Sequence, residues 1–459
     1  MEALQRLHNR GSISTGPYEI DNSLKFESDN TEYLMAEGRP AGNQQTWTYS
    51  TWLKRTEVDN GVVAQMIFSA GSDGKTSLYF RDDASYPDDQ IFIYVDEGNA
   101  LKWIGRVNQS FRDTAAWYHI VFAVDSTDAT AADRTKIYVN GVEQTITFNA
   151  TLNQNVSTRV GDGGNKFAIG GKVSDTSYGF NGYMAECVLV DGSALAPTSF
   201  GEFDEDSGIW KPKSPPALGT AGFHMNFDDS SNVGAVQSGT SQGNFDKYNL
   251  TAADQATDTP TNNFAIGNPL NVTPPGIFTE GATRWVSVNG TGMNGAWNLA
   301  TIALTGGKWH CEVKCISTSS YYQWGISPTH PNDSFSSRCF YRSDGNIYNA
   351  GSGGNTTGHT TYTAGDIIGM SYDASANTVI FSKNGTAVVT KTAIAHNDPY
   401  FFGGTGLSAG TYTGDFNFGG YTSYTISSPE TDENGYGTFE YAPPSGYYAL
   451  CTKNLEEFG

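Results

Sequence analysis

Residues 136–144 read KIYVNGVEQ, and residues 379–389 read VIFSKNGTAVV. In each stretch an apolar run leads into Asn-Gly, and a second run of strand-forming residues follows. Asn and Gly accept the left-handed backbone angles of a two-residue turn more readily than other residues do, so each stretch predicts a β-hairpin. Because the two stretches lie far apart and each sits among short strand-like runs, they predict two separate all-β modules.

The composition supports an all-β fold. A chain of 459 residues is long enough to bury two hydrophobic cores. It contains 53 glycines and many Tyr, Phe, Thr, Ser and Asn residues, which together supply turns and strands. We therefore predict an all-β fold of two antiparallel β-sandwich (jelly-roll) domains with little helix.

The pattern of strand-like runs sets the expected domain boundaries. Runs such as WYHIVFAV (residues 117–124), apolar on both alternating faces, are typical of central strands covered on both sides. Prolines cluster at residues 211–216, and few apolar residues follow up to residue 281. We predict an N-terminal arm (1–20), a first jelly roll (21–230), an extended linker (231–281), a second β-sandwich (282–420) and a C-terminal tail (421–459).

The charge and the cysteines exclude several classes of protein. The formal charge is −21 with no cluster of Lys and Arg, so nucleic-acid binding and attachment to an anionic membrane are disfavoured. The first residues lack the apolar run of a signal peptide, and no segment has the ~20 apolar residues of a membrane span. Five scattered cysteines are a poor disulfide framework. We expect reduced thiols and synthesis in the cytoplasm.

Two groups of motifs resemble known domains. The runs WTYSTWLKR, WYHIVFAVD, KIYVNGVEQ and FNGYMAECVLVDG resemble the laminin-G-like, concanavalin A-like jelly roll found in many bacteriophage structural proteins. The runs GGKWHCEVKC, YQWGIS, AGDIIGMSYD, VIFSKNGTAVV and FNFGG are similar to a SPRY domain. The second resemblance implies a two-sheet sandwich that binds partners through loops at one rim and is not an enzyme.

The C-terminal run PPSGYYALCTKNL resembles the ending of phage fibre proteins that join these two modules. The three resemblances together imply a non-enzymatic virion protein, a fibre or tail adhesin that contacts a host surface glycan or protein. Such a protein is made in the host cytoplasm and exposed on the particle surface. They also imply a homo-oligomer, a trimer by analogy. The short apolar stripe of Met1, Leu4 and Leu7 predicts that the N-terminal arm docks on another virion protein; a frayed terminus is the alternative. The alternatives are a head-decorating or spacer fibre without a specific receptor, and a glycan-cleaving tailspike.

The candidate receptor-binding residues lie in the loops expected around residues 327–346 and 396–414. Loops on a rigid sandwich can vary without disturbing the core. Aromatic faces and fixed hydrogen-bond donors suit sugar or protein surfaces. The candidates are Tyr341, Arg342, His396, Phe402 and Tyr412.

Two acidic groups have weaker chemical interpretations. Calcium prefers carboxylate oxygens, and a calcium site is a candidate at Asp82, Asp83, Asp88, Asp89 and Asp162; an acidic solvated rim is the alternative. In GEFDEDSG, Glu202, Asp204 and Asp206 alternate as paired glycosidase acids do, but the glycine and proline that follow favour a solvated loop. We therefore predict no catalytic residues and no certain cofactor.

Overall fold

The computed structural model describes residues 18–58, 64–71, 73–83, 85–97, 100–175, 177–239, 243–272, 276–288, 298–317, 322–328, 338–349, 354–393, 398–406 and 411–459. The chain divides into two compact units between Thr261 and Asn262. We call them the N-terminal unit and the C-terminal unit. Most of the expected N-terminal arm lies outside the described residues.

The N-terminal unit is built almost entirely of strands, joined in places by short 3₁₀ helices at Ala131–Arg134, Pro197–Ser199 and Ala252–Asp254. The strands are β1 (Ser23–Phe26), β2 (Tyr33–Ala36), β3 (Thr46–Arg55), β4 (Gln65–Ala70), β5 (Thr76–Asp83), β6 (Tyr86–Glu97), β7 (Ala100–Ser110), β8 (Tyr118–Asp125), β9 (Thr135–Val139), β10 (Val142–Glu143), β11 (Ile146–Phe148), β12 (Phe167–Ile169), β13 (Gly182–Asp191), β14 (Gly201–Phe203), β15 (Trp210–Pro212), β16 (Phe223–Met225), β17 (Asp246–Tyr248) and β18 (Gln255–Ala256).

These strands form two large antiparallel sheets and a small hairpin of β14 and β15. The back sheet has the order β10-β9-β8-β3-β13-β1-β18, with β16 also paired to β13. The front sheet has the order β11-β7-β6-β5-β4-β12-β2-β17. Aromatic rings from the two sheets meet in the core, where Trp47 of the back sheet lies 6.3 Å from Phe68 of the front sheet, centroid to centroid. The predicted all-β sandwich is confirmed for this unit.

Strand β8 explains why some runs are apolar on both faces. Ile120 and Phe122 point into the core between the sheets. Val121 points the other way and packs on the outer side with Val188 and Phe200. Since both faces are covered, both need apolar side chains, as the sequence WYHIVFAV predicts.

Residues 231–281 are placed differently from the expected extended linker. Strand β17 pairs with β2, and β18 pairs with β1. Buried ion pairs hold the part around residues 254–258 on the back sheet, with 2.9 Å between Lys25 Nζ and Asp254 Oδ1 and 2.8 Å between Lys54 Nζ and Asp258 Oδ2. Composition gave no sign of this docking, because its apolar contacts come from residues spread along the segment, such as Phe245, and the rest are polar contacts to two strand lysines.

The C-terminal unit is a second sandwich. Its strands are β19 (Gly267–Val272), β20 (Gly276–Thr279), β21 (Arg284–Val288), β22 (Asn298–Ala300), β23 (Lys308–Cys315), β24 (Tyr322–Pro328), β25 (Cys339–Arg342), β26 (Ile347–Asn349), β27 (Ile367–Asp373), β28 (Thr378–Lys383), β29 (Thr386–Thr392), β30 (Tyr400–Gly406), β31 (Thr411–Asn417) and β32 (Tyr448–Ala449), followed by helix α1 (Thr452–Phe458). One sheet has the order β19-β22-β30-β24-β25-β26 and the other β20-β21-β31-β23-β27-β28-β29. Trp285 and Trp324 meet edge to face in its core at 5.4 Å between ring centroids.

The expected C-terminal tail is part of this second sandwich. Strand β32 pairs in parallel with β23, and Leu450 and Leu455 join the core. The buried Glu312 carboxylate accepts hydrogen bonds from the backbone N–H groups of Glu440 and Tyr441, each at 2.9 Å. The segment looked like a tail because all of these contacts, the strand pairing, the core packing and the bonds to Glu312, are made with residues far away in sequence.

Both Asn-Gly pairs turn hairpins, as predicted. Asn140 and Gly141 have φ values of 47° and 82° between β9 and β10. Asn384 and Gly385 have φ values of 47° and 75° between β28 and β29. All five cysteines are buried and unpaired. No helix in the described ranges has the length and hydropathy of a membrane-spanning segment.

Candidate functional site

Three of the predicted receptor-binding residues belong to the core of the C-terminal unit. Tyr341, Phe402 and Tyr412 lie in β25, β30 and β31, and the side chains of all three are 0% exposed. The Tyr341 hydroxyl donates to the backbone oxygen of Thr360. These residues cannot contact a ligand while the domain is folded. The prediction assigned them to loops, whereas they occupy the inward positions of alternating strands.

The two remaining candidates differ. Arg342 is half-buried and follows the inward Tyr341, so its side chain points away from the core. Its guanidinium binds Asp344 through two nitrogens, with 2.9 Å between Nε and Oδ1, and lies 4.7 Å from the ring centroid of Tyr348. His396 lies outside the described residues.

The predicted calcium ligands are not brought together in the part that the structure describes. Asp89 is fully buried, and its carboxylate lies 2.8 Å from Arg55 Nη2 and 3.3 Å from Arg112 Nη1. Asp162 binds Arg159 Nη1 at 2.7 Å. The side chains of Asp82, Asp83 and Asp88 lie outside the described residues. Among the described residues, no group of three or more His, Cys, Asp or Glu is placed to hold a metal ion.

The acids of GEFDEDSG form ion pairs on the surface. Glu202 lies 3.6 Å from Lys211 Nζ and 3.7 Å from Lys213 Nζ. Asp204 lies 3.2 Å from Lys211 Nζ and also caps the turn that follows it. The carboxylates of Glu202 and Asp204 are therefore engaged by lysines, and Asp206 lies exposed in the turn that Asp204 caps.

The outer face of the front sheet carries a set of aromatic side chains that sequence reasoning missed. In β5, Leu78 and Phe80 point into the core and Tyr79 points outward. In β6, Ile93 points inward, and Phe92 and Tyr94 point outward. The pairing of the strands places Tyr79 opposite Phe92, and Tyr94 opposite Trp103 of β7. We call Tyr79, Tyr86, Phe92, Tyr94 and Trp103 the aromatic row.

The rings of the aromatic row lie close together; those of Tyr79, Phe92, Tyr94 and Trp103 are nearly parallel, and that of Tyr86 stands edge to face against Phe92 and Trp103. Ring centroids are 5.7 Å apart for Tyr79 and Tyr94, and 5.9 Å apart for Phe92 and Trp103, with interplanar angles of 23° and 10°. Trp103 Nε1 donates to the backbone oxygen of Gly105 at 3.1 Å, which fixes the indole. Arg81 lies 4.7 Å from the ring centroid of Tyr86. The row is therefore a fixed aromatic surface with a cation beside it.

A groove of about 260 Å³ opens beside this row. Tyr79, Tyr94 and Tyr178 contribute aromatic walls, and Ser77 and Met66 also line it. Its charged residues are Lys75, Arg81, Lys172 and Asp73. Lys75 Nζ lies 2.7 Å from Asp73 Oδ2, and Lys172 Nζ lies 4.6 Å from the ring centroid of Tyr178. A concave site with apolar walls and a few fixed polar groups is the usual form of a ligand site.

The electrostatics of the groove suit hydrogen bonding. Burial raises the pKa of Tyr79 above its ordinary value, and the neighbouring Tyr94 hydroxyl raises it further. Tyr79 therefore keeps its proton at neutral pH. Two tyrosine hydroxyls and three cationic side chains offer donors next to aromatic surfaces, which is the arrangement that binds a ring with both apolar faces and hydroxyl edges.

A signal for this site was present in the sequence. The runs TSLYFRDD, QIFIYVDEG and LKWIG place apolar or aromatic residues on both alternating faces of the strand, with at least one aromatic residue in each run. One face of a surface strand is normally polar, so apolar or aromatic residues on both faces indicate that the outer face is used or covered. The sequence did not show the strand pairing that aligns β5, β6 and β7.

Comparisons with known proteins agree with the two sandwiches. A family model described as the concanavalin A-like lectin/glucanases superfamily, Laminin_G_3, matches residues 28–198, and the SPRY domain model matches residues 311–421. Comparison with curated proteins finds no match.

Three solved structures show low similarity. The SPRY domain of human HERC1 is 19% identical, with 33% of this chain and 96% of that chain covered and a TM-score of 0.28. A heptameric SAP-like pentraxin from Limulus polyphemus is 16% identical, with 39% and 78% covered and a TM-score of 0.29. A protein of Bacteroides ovatus, provisionally classed as carbohydrate-binding, is 19% identical, with 50% and 59% covered and a TM-score of 0.35. The two family matches show that this chain carries a concanavalin A-like Laminin_G_3 domain and a SPRY domain.

Proposed function

We propose that the chain is a non-catalytic binding protein and that its N-terminal unit recognises a surface glycan in the groove beside the aromatic row. The observation that supports this proposal most directly is the juxtaposition of Tyr79, Tyr94 and Tyr178 with polar and cationic side chains in one concavity. Sugar rings present apolar faces that pack on aromatic rings and hydroxyl edges that need hydrogen-bond partners. The groove offers both.

The biological setting of this proposal is the bacteriophage particle. The order of the two domains and the C-terminal run PPSGYYALCTKNL support a virion fibre or tail adhesin, made in the host cytoplasm and exposed on the particle. In this setting the glycan belongs to the host surface, and the first residues dock on another virion protein. A head-decorating or spacer fibre, which binds no receptor, is the alternative.

The groove itself argues against a glycan-cleaving tailspike. Glycosidases of the common type use two carboxyl groups that flank the scissile bond. The described lining of the groove contains one carboxylate, Asp73, and Lys75 lies 2.7 Å from it. Glu202 and Asp204 are engaged by lysines on the β14–β15 hairpin. This supports binding without hydrolysis.

The test measures binding of the purified full chain to host surface polysaccharide by isothermal titration calorimetry. The Tyr94→Ala variant lacks one aromatic wall of the groove. The loss of ring stacking should weaken glycan binding about tenfold. Phe203→Ala is the matched control, because Phe203 is an aromatic side chain 50% exposed on the β14–β15 hairpin of the same unit.

Three outcomes would contradict the proposal. If the unmodified chain bound no host polysaccharide, the receptor-free fibre would be favoured. If the chain released reducing sugar from the polysaccharide, the protein would be a tailspike enzyme. Equal affinity of the Tyr94→Ala and Phe203→Ala variants would move the glycan site away from the groove.

A further inference from the structure

The aromatic surface continues beyond the groove across the front sheet. The row passes from Tyr79 in β5 through β6 to Trp103 in β7, where Tyr86 and Trp103 lie 6.1 Å apart between ring centroids. Neighbouring strands are about 4.8 Å apart, so Trp103 in β7, one strand beyond Tyr94, extends the surface of the groove by about 5 Å. Tyr86, Tyr94 and Trp103 are all half-buried, so part of each side chain remains accessible. A surface of this length suits an extended ligand.

Cations accompany the aromatic surface along its length. The groove is lined by three cationic side chains and one carboxylate, a formal sum of +2, in a chain whose formal charge is −21. Arg106 continues the series, with its guanidinium 5.3 Å from the ring centroid of Tyr86 on the same face. Acidic groups lie near the groove too, since Asp175 interacts with Lys172, and Asp96 interacts with Lys75.

The acids near the groove are bonded to groups outside its lining, whereas the cations line the cavity. Asp96 is buried and binds Arg159, with 3.3 Å between Oδ2 and Nε. Asp175 accepts a hydrogen bond from the backbone N–H of Ser177 at 3.0 Å, in a turn. Arg81 and Lys172 instead line the cavity itself. The inner surface is therefore cationic although the protein as a whole is strongly acidic.

We infer that the groove and the aromatic row together bind an internal stretch of a linear acidic polysaccharide. This inference rests on the proposed glycan-binding function and names its ligand class. The sugar rings pack along the half-buried Tyr94 and Trp103. The carboxylates of the polymer pair with Arg81, Lys172 and Arg106. Charge-assisted hydrogen bonds to carboxylates are stronger than those to neutral hydroxyls, so the acidic groups select the polymer.

The first experiment compares polygalacturonate with the same polymer after reduction of its carboxyl groups, using the full chain and isothermal titration calorimetry. We expect binding about tenfold weaker for the reduced polymer, and weaker binding of polygalacturonate at higher salt. Equal affinities for the two polymers would overturn the selection for acidic groups and leave glycan binding intact. If neither polymer bound while a neutral host polysaccharide did, this inference alone would fail.

The second experiment uses Lys172→Gln with Lys136→Gln as its control. Lys136 is a lysine of similar exposure in β9 of the back sheet, paired with Asp133 at 3.1 Å. We expect Lys172→Gln to lower the affinity for polygalacturonate severalfold and the affinity for the carboxyl-reduced polymer by a smaller factor, whereas Lys136→Gln should change neither. Unchanged binding of polygalacturonate by Lys172→Gln would contradict the inference.

The third experiment tests the length of the site with galacturonate oligomers of increasing size. If the aromatic row takes part, affinity rises with oligomer length until the polymer spans the groove and reaches Trp103, and Trp103→Ala removes the gain for long oligomers only. A single sugar that bound as tightly as the long oligomers would restrict the site to the groove and overturn the extended track.

Discussion

At the scale of single residues, Glu312 is the group on which the C-terminal segment depends most. Its carboxylate accepts from two backbone N–H groups, and from the Tyr424 hydroxyl at 2.9 Å, while the side chain is 1% exposed. A buried carboxylate is stable only when its hydrogen-bonding capacity is used. The segment after residue 420 supplies those donors.

Glu312→Ala should lower the free energy of unfolding by about 3 kcal/mol, because four donors lose an acceptor: two partly buried backbone N–H groups, the buried Tyr424 hydroxyl and the buried Asn417 amide. Glu430→Ala, an exposed acid in the same segment, is the control and should change little. Chemical denaturation measures both. A Glu312→Ala variant as stable as the control would show that apolar packing alone holds the segment.

Two buried histidines make stability depend on pH. Burial lowers the pKa of His119 and of His310 to about 3, from an ordinary value of 6.5. His119 accepts from Trp210 Nε1 at 2.9 Å and lies against Ser50, and His310 bonds to Ser371 at 2.7 Å. Neither site holds an acidic partner bonded to the ring, so both histidines stay neutral in the folded protein.

Protonation of the two buried histidines favours the unfolded chain. The unfolded chain binds protons at these histidines below pH 6.5, whereas the folded chain does so only near pH 3, so stability is complete above pH 6.5 and falls as the pH drops. We expect a loss of about 2 kcal/mol per histidine between pH 6.5 and 5.

Burial raises the pKa of Glu312 above its ordinary value of 4.5. The folded protein therefore binds a proton at Glu312 more readily than the unfolded chain does, so this group's contribution to stability increases as the pH falls. His310→Gln should flatten the dependence of the melting temperature between pH 6.5 and 5, because the variant lacks one of the two buried imidazoles. A slope left unchanged by His310→Gln would contradict this assignment.

At the scale of elements, the Asn-Gly hairpins join local backbone preference to packing. Gly141 has a φ of 82°, and a Cβ atom there would lie 2.4 Å from the Trp210 ring. Glycine is therefore required at this position for two reasons: the backbone has a left-handed φ, and the Trp210 ring occupies the space that a Cβ atom would need. Trp210 in turn binds His119, so the turn, the β14–β15 hairpin and the back sheet pack as one group.

Gly141→Ala should destabilise the N-terminal unit by about 3 kcal/mol, the sum of left-handed backbone strain and overpacking. Gly192→Ala separates the two effects, because Gly192 has a φ of 83° and nothing within 4 Å of its Cβ position. That control should cost only about 1 kcal/mol. Equal losses in thermal denaturation would show that the contact with Trp210 is relieved at no cost.

At the scale of the whole molecule, the resemblance to phage fibres predicts several copies of the chain in one assembly, most simply a trimer. Closed symmetry is the general rule for homo-oligomers. Analytical ultracentrifugation of the full chain at micromolar concentration checks this, with three times the 49.4 kDa of the chain expected. A monomer at that concentration would contradict it.

The sequence alone determined the fold class, the two sandwiches and both hairpins. These features depend on local rules: side chains alternate between the faces of a strand, and Asn-Gly accepts the backbone of a tight turn. The family matches for residues 28–198 and 311–421 agree with that interpretation. Local rules act between near neighbours, so a single sequence displays them.

Only the tertiary structure decided which face of each strand is buried and which distant groups meet. Tyr341 and Tyr412 were predicted to lie in loops, but strand pairing places both side chains in the core. Asp89 looked like a calcium ligand until Arg55 was found beside it, and Asp258 looked like a linker residue until Lys54 was found beside it. The groove joins Tyr79, Tyr94 and Tyr178 from separate parts of the chain. Such contacts depend on register and on long-range packing, and no pattern within a short window encodes them.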